Sequence, residues 1–195
     1  ECQTQNPFHM ALTESNMLSL GTQAPNFSLP DTVSGKTLTL SDVAGERGTV
    51  VMFLCNHCPY VIHTNPEIVR VAGDYQGKGI GFVGISANDV EHYPQDAPDK
   101  MKEQAERLGY TFPYLYDETQ EVARAYDAAC TPDFYVFDAD RRLLYRGRLD
   151  KSRPQNDEPQ DGADLRAALD ALLAGEPLPE KQYPSAGCNI KWKKG

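Results

Sequence analysis

The run Cys55, Asn56, His57, Cys58, Pro59 is the stretch of this 195-residue chain best equipped for chemistry. Two cysteines so spaced can exchange a disulfide: one thiolate attacks and the other thiol resolves the mixed disulfide that forms. A helix N-terminus favours the thiolate, because its unpaired N–H groups and the helix dipole present positive charge there. Proline suits the first helical position, where its missing N–H had no partner to lose. Pro59 in that place makes Cys58 the N-cap; a cap at Cys55 would put Pro59 where the first intrahelical donor is needed. Cys58 is therefore expected to be the nucleophile and Cys55 the resolving thiol, with the two sulfurs within bonding reach and open to solvent. A protonated His57 beside them would stabilise the thiolate. A zinc site would need two further ligands, usually a second close cysteine pair. His63 is the nearby candidate and no second pair exists, so no metal is expected.

These residues need a strand to deliver them and a helix to receive them. Thr49 to Leu54 is a continuous apolar run led by β-branched residues, the pattern of a central strand buried on both faces. Apolar residues at Val61, Ile62, Ile68, Val69 and Ala72 predict a helix from Pro59 to Tyr75, kinked at Pro66. Further strands are expected at Lys36–Leu40, Ile80–Ile85 and Phe112–Tyr116, and a hairpin over Asp133–Phe137 and Leu143–Arg146. Helices are expected at Pro98–Leu108, Glu118–Tyr126 and Asp161–Leu173, with a short one capped at Ser41 or Asp42. Strands alternating with helices, then a hairpin and a closing helix, specify a three-layer α/β sandwich. The polar loop Asn88 to Ala97 is expected at the rim of the site; the spacing of Asp89, Glu91 and Asp96 matches no calcium loop.

Residues 1–9 read as a cloning remnant before a native start at Met10, which removes Cys2 from the mechanism, and residues 10–195 read as a single domain. The formal charge of −9 speaks against a nucleic-acid surface. No apolar run is long enough to span a membrane and no signal peptide opens the chain, so no membrane partner and a cytoplasmic location are expected.

The motif resembles the thioredoxin superfamily, and within it the redoxin (AhpC/TSA) group of peroxiredoxins and TlpA/ResA-type thiol oxidoreductases. The resemblance runs from about Leu20 to Leu173 and rests on Gly21, Ala24, Pro25, Phe27 and Leu29, on the strand leading into Cys58, and on Thr131-Pro132. The Cys55–Val61 segment, Cys130–Phe134 and the tail Gly187–Lys193 are similar to a bacterial peroxiredoxin-like subgroup. The resemblance implies a thioredoxin-like three-layer α/β/α sandwich with an N-terminal β extension and a C-terminal tail. It also implies a cis Thr131–Pro132 bond facing the cysteines, with Thr131 and Pro132 binding an extended substrate segment by strand addition. Against thioredoxins, Val61 stands where their second cysteine falls and Met52 where they keep a buried acid. The Pro-x-x-x-Thr-x-x-Cys pattern of peroxiredoxins does not precede Cys58.

Cys130, next to Thr131, is placed at the substrate side of the site. Cys188 is expected to be inert, with a bond to Cys130 as the alternative. The resulting expectation is a thiol–disulfide oxidoreductase without a bound cofactor, acting on a disulfide-containing protein or a small thiol and re-reduced by an upstream thiol donor. The rivals are a thiol peroxidase with Cys58 as the peroxidatic sulfur, which would carry an antioxidant role, and a Sco-like copper carrier that would draw on the distant His92.

Overall fold

The computed structural model describes residues 12–195; the segment read as a cloning remnant lies outside the described residues. In chain order the elements are β1 (Leu12–Glu14), β2 (Ser28–Pro30), β3 (Thr37–Thr39), α1 (Leu40–Val43), β4 (Gly48–Phe53), α2 (Pro59–Gln76) and β5 (Ile80–Ser86). They continue with α3 (Pro98–Leu108), β6 (Tyr114–Tyr116), α4 (Glu121–Ala125), β7 (Cys130–Thr131), β8 (Asp133–Asp138), β9 (Leu143–Gly147), α5 (Ala163–Ala174) and β10 (Ala186–Asn189).

The apolar run at 48–53 becomes the middle strand of a five-stranded sheet ordered β6-β5-β4-β8-β9. β4 is parallel to β5 and antiparallel to β8, so it is paired on both edges and buried along its whole length. Alternation along the strand sends its side chains into two separate cores. Val50, Met52 and Leu54 pack with Val61 and Ile68 of α2, Met101 of α3 and Leu165 of α5. Val51 and Phe53 pack on the other face with Leu40 and Val43 of α1 and Val122 of α4. The result is the thioredoxin-like sandwich expected from the sequence.

Three local differences have physical causes. The short helix is capped by Thr39 rather than Ser41 or Asp42: Thr39 Oγ1 accepts from the Asp42 N–H, and Asp42 reaches back to the Thr39 N–H at 2.8 Å, a capping box. α2 continues one residue past the expected Tyr75, to Gln76, its inner face held by Ile68, Val71 and Ala72. The third concerns the tail. β10 inserts between β1 and β7 to form a second, three-stranded sheet, order β1-β10-β7. Its registers are Leu12↔Cys188 on one side and Cys188↔Thr131 on the other. A four-residue strand with glycine at its second position carries too short an alternation to be read from sequence.

Candidate redox site

β4 ends at Phe53, and the chain turns through Cys55–Cys58 into α2. Cys58 is the N-cap with extended backbone (φ −69°, ψ 124°) and Pro59 opens the helix, as the proline argument requires. The Cys58 carbonyl accepts from the Ile62 N–H at 2.9 Å and starts the helical ladder.

The partner of Cys58 is not Cys55. Its sulfur is bonded to Cys188 of β10, 130 residues away, with the two Cα atoms 6.3 Å apart. Cys55 is a free thiol. The cysteine expected to pair with Cys58 is thus unbonded and the one expected to be inert is bonded to it, because the tail strand brings a sulfur from outside the motif to the helix end. The expected exposure also fails: Cys55 and Cys58 are both buried, with Cys188 packed in the same core.

Cys55 lies with its sulfur 3.4 Å from Thr131 Oγ1. Burial pushes its thiol up to about 12, and the nearby Asp96 charge adds to the rise; the Thr131 hydroxyl and the N–H groups of Cys58 and His57 only partly offset these effects. It is a protonated thiol at neutral pH. Cys130 is also free and buried, within sulfur hydrogen-bond reach of the carbonyls of Pro132 and Ser185, and its pKa too is raised by burial.

Thr131–Pro132 is cis, as expected. The Cys58 sulfur is 3.5 Å from the Thr131 carbonyl oxygen, so the proline loop does face the site. The pairing edge that Thr131 was expected to offer a substrate is, however, occupied by β10 of the same chain.

The rim loop contributes a residue that sequence reasoning passed over except as a calcium ligand. Asp96 is fully buried, and its Oδ1 accepts from the Asn56 N–H at 2.8 Å and the His57 N–H at 3.3 Å. Its Oδ2 accepts from Asn88 Nδ2 at 2.9 Å and lies 2.5 Å from His57 Nδ1. Burial works to raise the Asp96 pKa, but the bonds from His57, Asn88 and Asn56 outweigh it and hold the carboxyl below its usual range. The His57 ring stacks on Tyr93, centroids 5.6 Å apart and planes 10° from parallel. The active loop is therefore tied to the rim at Tyr93 and Asp96. A buried acid on a polar loop of Asn, Asp and His was the available signal.

Cys55, His57 and Asp96 place ligand atoms within 4.8 Å of one another, the described group that could hold a metal ion. Here the carboxylate is already occupied by four donors. The other metal candidates go elsewhere: His63 Nε2 bonds Ser152 Oγ at 3.1 Å, and His92 Nδ1 pairs with Asp89 Oδ2 at 2.6 Å. No described helix is long and apolar enough to cross a membrane.

Comparison with known proteins places the chain among related sequences and structures. The AhpC/TSA family model matches residues 20–146. A Mycobacterium tuberculosis protein provisionally named as a peroxiredoxin is 31% identical over 117 residues, covering 60% of this chain and 69% of that protein. The thiol-disulfide oxidoreductase ResA of Geobacillus thermodenitrificans is 26% identical over 131 residues, 67% of this chain and 70% of that protein. The crystal structure of an uncharacterized conserved protein from Geobacillus kaustophilus superimposes with a TM-score of 0.94 at 60% identity, over 95% of this chain and 98% of that one.

Proposed function

The chain belongs to the AhpC/TSA family, and from that premise we propose that it is a thiol–disulfide oxidoreductase whose working pair is Cys58 and Cys188. The observation that carries this reading is the covalent link between an N-cap sulfur and a second cysteine held opposite Thr131.

In the reduced protein the Cys58 sulfur sits at the positive end of α2, where the helix dipole stabilises its thiolate. The Cys58 thiolate attacks one sulfur of a substrate disulfide and releases the other as a thiolate. Cys188 then attacks the Cys58 sulfur, releases the second substrate thiolate and restores the protein disulfide. A thiol donor reverses the change. His57, partly exposed and braced by Asp96, is placed to give a proton to the leaving thiolate. Cys55, buried and protonated, has the position of a supporting thiol under the loop rather than of the resolving one. We assign the activity to the cytoplasm, where thiol donors are abundant.

Steady-state reduction of a disulfide by dithiothreitol in the presence of the protein tests the reading. Cys58→Ser is expected to bring the rate to the uncatalysed blank; an unchanged rate refutes the assignment.

A second reading shares the same end state. In a thiol peroxidase Cys58 would be oxidised to a sulfenic acid by a hydroperoxide, and Cys188 would condense with it, losing water, to give the same disulfide. The peroxiredoxin name of the mycobacterial relative favours it. Dimedone labelling of Cys58 in Cys188→Ser after peroxide addition decides between the two, because disulfide exchange leaves no sulfenic acid.

A further inference from the structure

The strand β10 lies where the sequence placed a substrate. An extended polypeptide adds to a sheet by pairing with a free strand edge. The edge at Thr131 is paired with Cys188, and that at Cys130 with Asn189. The outer edge of β10 is covered in turn, since Leu12, Thr13 and Glu14 of β1 pair with Cys188, Gly187 and Ala186. β10 approaches β7 so closely that a Cβ at Gly187 would collide with the Thr131 carbonyl oxygen. Only glycine permits this approach.

Most of what holds the strand does not depend on the disulfide. Ile190 is buried in the core that contains Phe53 and Tyr126, and its N–H donates to the Ala129 carbonyl at 3.0 Å. The Lys191 N–H donates to Asn88 Oδ1 at 2.9 Å, while the Lys191 carbonyl accepts from the Asp89 N–H at 2.8 Å and from Gln120 Nε2 at 2.9 Å. The Lys193 N–H donates to Gln120 Oε1 at 2.9 Å, and the Arg124 guanidinium lies 4.5 Å over the Trp192 ring. None of these contacts involves the sulfur atoms of the disulfide.

We propose that β10 stays paired with β7 in both redox states and so restricts the Cys58–Cys188 centre to low-molecular-weight disulfides and thiols, excluding polypeptide strands. The inference rests on the oxidoreductase reading and narrows its substrate class. A cleft lined by Tyr60, His63, Arg148 and Arg153 lies beside Pro132 and Ala186, the residues next to Thr131 and Gly187 in the chain. A short unbranched disulfide needs no strand edge for binding. The electron balance is that of the oxidoreductase: the two protein thiols become one disulfide, the small disulfide becomes two thiols, and an external dithiol returns the pair of electrons.

The test compares two substrates on the full chain with dithiothreitol as donor. Bis(2-hydroxyethyl) disulfide is expected to turn over well above the blank, with kcat/KM for insulin lower by at least about tenfold. Gly187→Val, which drives β10 from Thr131, is expected to close that gap by raising insulin turnover. In parallel, hydrogen exchange at the amides of residues 187–190 is measured in the oxidised and reduced wild type. Protection that changes by less than about tenfold on reduction supports the proposal. Protection lost on reduction, or insulin turned over as readily as the small disulfide, overturns it. Turnover of neither disulfide by a protein whose strand stays protected removes the oxidoreductase reading, and this inference with it.

Discussion

The imidazole Nδ1 of His57 lies 2.5 Å from Oδ2 of Asp96, and the same carboxylate holds the backbone N–H groups of Asn56 and His57. One buried acid thus fixes both the ring beside Cys58 and the loop that carries it. Asp96→Ala strands several donors at once, and a loss of about 2–4 kcal/mol in stability is expected by denaturant titration. Asp96→Asn is expected to recover part of the stability but to alter the pH profile of turnover, because an amide does not stabilise an imidazolium as a carboxylate does. An unaltered profile would leave Asp96 a purely structural part of the loop.

The same residue makes an acid-stability prediction. Its folded-state pKa lies below the usual value of 3.8. The stability it contributes is therefore present above that value and lost as pH falls through the folded one. Urea titrations from neutrality down to about pH 3 should show a shallower acid slope for Asp96→Asn than for wild type.

Asp133 has the opposite sign. It is fully buried at the start of β8, and burial pushes its carboxyl up to about 7 in spite of bonds from Ser15 and Tyr135. The folded protein holds a proton there that the unfolded chain releases above about pH 4. Stability from this group is greatest at the acid end and falls by up to about 1.4 kcal/mol per pH unit as pH rises towards 7. Asp133→Asn should flatten the stability curve over that window. A curve with the wild-type slope in this variant rules the assignment out.

The disulfide closes a loop of 130 residues, and removing such a cross-link typically costs about 4–5 kcal/mol through the unfolded chain. Cys188→Ser should lose stability on this scale under oxidising conditions and match wild type when both are reduced. Non-reducing peptide mapping of the oxidised protein should recover a peptide joining Cys58 to Cys188. Recovery of a Cys55–Cys58 link instead would contradict the pairing.

Thiol labelling separates the cysteines by environment. With iodoacetamide at about pH 8, the folded, reduced protein should label at Cys58, which has the α2 N-terminus to stabilise its thiolate, before Cys55 and Cys130, whose thiols are held protonated. On unfolding all should label alike. Fast labelling of Cys55 in the native protein would count against its buried place under Thr131.

The sequence was most informative where a local rule had one answer. Pro59 could serve only at the first turn, which fixed Cys58 as the cap, and the apolar run from Thr49 could serve only as a central strand. The pairing of Cys58 was illegible for a different reason. Two cysteines in one motif are neighbours by covalent geometry alone, whereas Cys188 arrives through a strand whose partners lie at Leu12 and Thr131. Nothing in a single sequence reports such a long-range contact. Asp96 was hidden in the same way: its four donors come from residues 8 to 40 positions earlier in the chain.

The distance along the chain between Cys58 and Cys188 also orders events during synthesis. The helix-end sulfur is made early and spends most of translation beside Cys55, with its eventual mate not yet polymerised. Oxidation in that interval would join Cys58 to a neighbour other than Cys188, whereas in the finished fold Cys55 is a free thiol held against Thr131. The centre thus forms only after β10 has been made, and an intact one reports that β10 has docked.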